Sequence, residues 1–156
     1  MSDATSTLSY RRATITSLSG ETFDISASLR EFDYYEDVLQ QSITGTLKVV
    51  SSFSYTNGLP IRGGEKIEFE IITSFGDFKF LGDNALYVYK VTDVNTEKMI
   101  EECKIHVTSL EHFSNQSTRC LKKFKKIPID KHVEDILKNI LQTKKNIDDI
   151  EPTGNS

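Results

Sequence analysis

The sequence predicts a mainly β protein: an antiparallel β-barrel or sandwich carrying one C-terminal amphipathic helix. Three observations predict it. Apolar and polar residues alternate along most of the stretch from Arg11 to Leu110, the period of strands with one buried face. Turn-forming residues separate these runs at spacings of about ten residues, which favours hairpin-joined strands over βαβ units. A helical period follows near the C-terminus, where Val133, Ile136, Leu137, Ile140 and Leu141 share one stripe.

Phe23, Ile25, Ala27 and Leu29 share one strand phase and Phe32 and Tyr34 take the other, so a bulge or bend is expected near Arg30 and Glu31. Ile43, Gly45, Leu47 and Val49 line one face of the next strand, with Gly45 where a bulky neighbour or another backbone comes close. Asn57-Gly58-Leu59-Pro60 and Arg62-Gly63-Gly64 are dense turn punctuation and predict a substantial loop. Ile67, Phe69 and Ile71 alternate with Lys66, Glu68 and Glu70, and Phe78 with Phe80 resumes after a turn, the pattern of a hairpin. Tyr87, Tyr89 and Val91 form one phase of a further strand, Asp93 to Lys98 reads as a polar turn, and Cys103, Ile105 and Val107 alternate after it. The expected core is Ile43, Leu47, Val49, Ile67, Phe69, Ile71, Ile105 and Val107.

The expected organisation is a barrel over residues 1–113, a basic loop over 114–129, an amphipathic helix over 130–143 capped by Asp130, and a polar linker over 144–156 toward a second domain. At 156 residues the chain suits one domain with an appendage. Its 19 basic and 23 acidic residues give a net charge of −4, which excludes the whole chain as an electrostatic partner of nucleic acid. The N-terminus has no apolar signal-like run and no segment reaches the length of a membrane span, so a soluble protein made in a cytoplasm is expected.

No arrangement of residues stands out as catalytic. The three histidines, His106, His112 and His132, lack the spacing of metal ligands, and Cys103 and Cys120 match no paired metal motif. Glu36-Asp37, Glu101-Glu102 and Asp148-Asp149 are adjacent acidic pairs, but neighbours on a strand point to opposite faces, so solvated charge is the expectation. The basic run Lys122, Lys123, Lys125 and Lys126 holds one aromatic, Phe124, too few for a base-stacking platform, and reads as a solvated loop or a protein contact. No enzyme, no cofactor and no metal is therefore expected. Tyr34, Tyr35, Tyr87 and Tyr89 are the candidates for an aromatic patch if the domain is instead a carbohydrate- or protein-binding sandwich.

An ordered set of motifs carries a family signal. Ile15-Thr16-Ser17-Leu18-Ser19-Gly20 and Phe23-Asp24-Ile25-Ser26 are followed by Tyr34-Tyr35-Glu36-Asp37-Val38, Ser42-Ile43-Thr44-Gly45-Thr46-Leu47 and Leu59-Pro60-Ile61-Arg62-Gly63-Gly64-Glu65. Ile127-Pro128-Ile129-Asp130 and Ile136-Leu137-Lys138-Asn139-Ile140-Leu141 continue it. Together these resemble the N-terminal part of the baseplate hub proteins of T-even-like contractile-tailed bacteriophages. The resemblance implies a tail-tube-like barrel and a non-catalytic virion part, assembled in the host cytoplasm, that lines the DNA channel. Copies of the chain would form a ring, a pseudo-sixfold trimer or a hexamer, joining the tail tube to the central spike, with DNA only in passage and no membrane insertion. A tail tube subunit is the close alternative. Leu59, Pro60, Ile61, Arg62, Tyr34 and Tyr35 are the expected subunit interface, and Glu68 and Glu70 the candidates for the channel-facing surface.

Overall fold

A computed structural model of the chain describes residues 9–40, 42–52, 61–74 and 76–152. Residues up to Ser109 form one compact unit and those from Leu110 onward a second. The first is all β, with strands β1 (Ser9–Thr16), β2 (Thr22–Asp24), β3 (Leu29–Tyr35), β4 (Thr44–Ser51), β5 (Lys66–Thr73), β6 (Gly76–Phe80), β7 (Leu86–Glu97) and β8 (Ile100–Thr108). All pairs are antiparallel, in the order β2-β1-β5-β7-β8-β4-β3, with β6 beside β5.

The sheet curls into a barrel-like sandwich because its two ends are consecutive in sequence. Ile25 N–H donates to Ala13 of β1 at 2.8 Å and Val50 N–H donates to Ser28 at 2.9 Å, so the turn between β2 and β3 ties β1 to β4. The expected break in phase is a register shift between Leu29 and Glu31. Leu29 is buried before it, and Phe32 and Tyr34 pack against the core after it. One extra residue on a strand re-aims every side chain that follows.

Curling brings β3 over the middle of the sheet. The Phe32 ring lies 4.7 Å from Phe69 of β5 and 5.5 Å from Phe80 of β6, both edge-on, an arrangement in which the positive ring edge meets the negative face. Tyr34 stacks 5.5 Å from Phe80. Gly45 of β4 lies beneath: a Cβ there would sit 2.8 Å from Phe32 Cε2 and 2.9 Å from the Asp33 carbonyl. Around this cluster Ala13, Ile15, Leu47, Val49, Ile67, Leu86, Val88, Ile105 and Val107 are fully buried. Of the expected core only Ile43 is less than buried, and it packs against the cluster.

Strand β7 departs from its expected reading. Leu86 and Val88 are the buried phase and Tyr89 is exposed, and register shifts at Val88/Lys90 and Thr92/Asn95 then re-aim the strand so that Val91 packs on the core. Nor do Asp93 to Lys98 form the turn. Residues up to Glu97 continue the strand, and the chain reverses at Lys98 and Met99, both with positive φ (48° and 70°).

The second unit holds helix α1 (Leu110–Ser117), which the sequence reading divides between barrel and loop, and helix α2 (Ile129–Asp135), which runs into a π-helical turn at Ile136–Ile140. Asp130 is not the N-cap. Pro128 takes that place with φ −56° and ψ 149°, since its ring presets φ and it has no N–H to leave unsatisfied. Asp130 lies in the first turn, buried, and helical structure ends at Ile140. Glu111 of α1 accepts from Thr143 Oγ1 at 2.6 Å and Lys145 Nζ at 3.0 Å, which ties the segment after α2 back to α1. No helix among the described residues is long and apolar enough to cross a membrane.

Gly45→Ala is expected to destabilise the chain by about 1–3 kcal/mol through overpacking against Phe32. Thermal melts will check this, together with Gly45→Ala in a Phe32→Leu background, where the penalty should shrink.

Candidate assembly surface

The expected interface loop ends in a carboxylate clamp. Glu65 is buried, its Oε1 accepting from Arg62 N–H at 2.7 Å and its Oε2 from Gly63 N–H at 2.9 Å. Gly63 and Gly64 have φ of 106° and 95°, left-handed values open to glycine. Gly64 N–H donates to Val88 at 2.7 Å and Val88 N–H returns a bond to Glu65 at 2.9 Å, which joins the loop to β7. A buried carboxylate is stable here because charge-assisted bonds from two amides replace its water.

The expected interface residues part company around this clamp. Leu59 and Pro60 lie outside the described residues. Arg62 is exposed, whereas Ile61 is half-buried against the core and Tyr34 is held by Phe32 and Phe80, so both serve the fold. Tyr35 points outward and begins a well-formed turn. Asp37 Oδ1 accepts from Leu39 N–H at 2.9 Å, the Asp37 carbonyl accepts from Gln40 N–H at 3.0 Å, and Tyr34 Oη donates to Glu36 at 2.9 Å. This turn presents Val38 and Leu39 to solvent, 98% and 86% exposed.

Glu68 and Glu70 stand on the polar face of β5, and their charge is matched. Lys66 Nζ lies 2.9 Å from Glu68 and Lys79 Nζ 3.9 Å from Glu70. Partial burial works against the Glu68 charge, but the Gly82 amide, which donates at 2.8 Å, and the Lys66 ammonium outweigh it and hold the carboxyl below its ordinary range. A face of paired charges presents little field of either sign.

The remaining candidates do not converge. Glu101 is buried while Glu102, on the opposite face, is exposed and pairs with Lys48 at 2.9 Å. His106 bridges the polar face between Thr46 Oγ1 (3.3 Å) and Thr92 Oγ1 (2.7 Å). Burial, with the nearby Lys90 charge, lowers its pKa. Among the described residues no group of three or more His, Cys, Asp or Glu is placed to hold a metal ion. Tyr35 and Tyr87 lie on one row with Thr44 and Thr108 between them, three strand spacings or about 14 Å apart, so they make no continuous aromatic patch.

Sequence reasoning missed the feature most suited to assembly. From Lys90 to Glu97, β7 pairs only with β8, and among the described residues no strand lies on its other edge. An open edge displays amide donors and carbonyl acceptors that a neighbouring strand can satisfy. The sequence gives little sign of it, because the polar run Asp93–Lys98 has the composition of a turn.

Two outcomes are expected. Glu65→Gln should lose about 1–3 kcal/mol, because its amide nitrogen would face a backbone donor; urea denaturation will measure this. Burial, reinforced by the Glu101 and Glu102 charges, pushes the Cys103 thiol up to about 11, while Cys120 is exposed. At pH 8 a thiol reagent should therefore label one cysteine per native chain quickly and both only after unfolding.

No protein-family model matches the chain, and no curated protein matches it.

Proposed function

We propose that the chain is a virion structural protein of a contractile phage tail, a baseplate hub component whose copies form a ring joining the tail tube to the central spike. One observation carries the reading: the ordered motif series falls on residues with defined physical tasks in the barrel. The glycine of its Ser-x-Thr-Gly segment is Gly45, over which Phe32 packs, and the glutamate of its Gly-Gly-Glu segment is Glu65, the clamp of the loop.

The edge of β7 from Lys90 to Glu97, beside which no strand lies among the described residues, supports assembly with copies of the chain. Its two register shifts and the charges of Lys90 and Asp93 restrict which strand can add there, and they favour a closed ring over open-ended sheet growth. In this reading the charge-matched face bearing Glu68 and Glu70 lines the channel, where a weak net field lets DNA pass without adhering. The protein acts through geometry and carries out no reaction.

Negative-stain electron microscopy of the purified chain should show rings of three or six subunits, and gold-labelled antibody should mark the baseplate end of tails that contain it. A strictly monomeric chain that hydrolyses peptidoglycan would overturn the proposal.

A further inference from the structure

We infer that copies of this chain contact one another through the acidic Tyr35–Gln40 turn of one copy and the basic Arg119–Ile127 segment of the next. The inference rests on the ring reading above and names one contact within it.

The two surfaces are complementary in charge and in apolar content. On the turn, Glu36 and Asp37 are exposed and have no cationic partner among the described residues, although local hydrogen bonds fix their positions. Next to them in the turn are Val38 and Leu39, with Tyr35 on the other side, all exposed. A chain gains nothing alone by holding two adjacent aliphatic side chains in water on an ordered turn, since each would be stabilised by burial.

The basic segment mirrors this. Arg119, Lys123, Lys125 and Lys126 are exposed without an acidic partner among the described residues, and Lys122 alone pairs, with Asp135 at 2.6 Å. Lys122 also lies 5.4 Å over the Phe124 ring, which in turn stacks 4.3 Å from His132, so the segment is braced against α2. Leu121 is fully exposed and Ile127 substantially so, which places apolar side chains at both ends of the basic run. Two acids followed by two aliphatics fit a basic run with Leu121 and Ile127 at its ends, whose Arg119, Lys123, Lys125 and Lys126 have no acidic partner among the described residues. Opposite charge at the rim sets register and approach, and the apolar side chains supply the burial.

The occupant is a second copy of the chain. The contact joins two different surfaces, so it is head-to-tail and propagates around a ring, where repetition compensates for its small area.

Cys120, exposed beside Leu121, makes the contact testable in the full-length chain. Val38→Cys, oxidised gently with copper–phenanthroline in low salt, should give a ladder extending past the dimer. Cys120→Ser should remove the ladder, and unaltered chain should stop at the Cys120–Cys120 dimer. Reversing Glu36 and Asp37 to Lys in the Val38→Cys chain should cut ladder yield about tenfold, as should 0.5 M salt, with circular dichroism unchanged because both residues are exposed. Adding Lys123→Glu, Lys125→Glu and Lys126→Glu to that variant should restore it. A ladder absent from Val38→Cys, a disulfide closed within one chain, or a yield indifferent to charge reversal would each overturn the contact. Rings that still assemble in that case leave the hub reading standing and place its interface elsewhere.

Discussion

The ring of Phe32 rests on the bare Cα of Gly45 and reaches across to Phe69 and Phe80. Without that contact β3 would be a terminal strand with one partner. With it, the strand at one end of the hydrogen-bonded order packs over the middle of the sheet, and the apolar faces of β1, β4, β5, β7 and β8 enclose one core. The missing side chain at Gly45 lets the ring approach, and the aromatic cluster sets how far the sheet curls. The register shift before Phe32 follows from the same need, because it turns that ring inward after Leu29 has already faced the core.

Several of the barrel's charged groups are matched locally. The carboxylate of Glu65 holds the loop before β5, Lys66 and Lys79 match the acids of β5, and Lys48 and Lys104 pair with Glu102 and Asp93 on the outer face. Such exposed pairs add little stability individually, but they leave the strand faces nearly neutral. Among the described residues, the Val38–Leu39 turn exposes adjacent aliphatic side chains and the Arg119–Lys126 segment exposes a run of cations. The proposed structural role draws on these exposed surfaces.

Much of the barrel could be read from the chain, because strand burial is a local pattern. Leu47 and Val49, Ile67, Phe69 and Ile71, and Ile105 and Val107 each announce an inward face through strict alternation, and Gly45 and Gly63-Gly64 announce a close approach and a turn. The reading failed where alternation is interrupted. Two register shifts hide the true phase of β7, so in the sequence Tyr87 and Tyr89 are indistinguishable from Val91. In the second unit α1 is short and polar, without the apolar spacing that marks a helix, and Pro128 displaced the cap expected of Asp130.

What the sequence by itself determined is the antiparallel β class, the bulge near Arg30 and most of the core, since each depends on the order of apolar and polar residues within a few positions. Tertiary structure alone decided that Phe32, Gly45, Phe69 and Phe80 meet, that Ile61 and Tyr34 pack against the core while Tyr35, Val38 and Leu39 face outward, and that among the described residues no strand lies beside the outer edge of β7 from Lys90 to Glu97. Those outcomes depend on which strands become neighbours when the sheet curls, and contacts between residues distant in sequence leave no periodic trace along the chain.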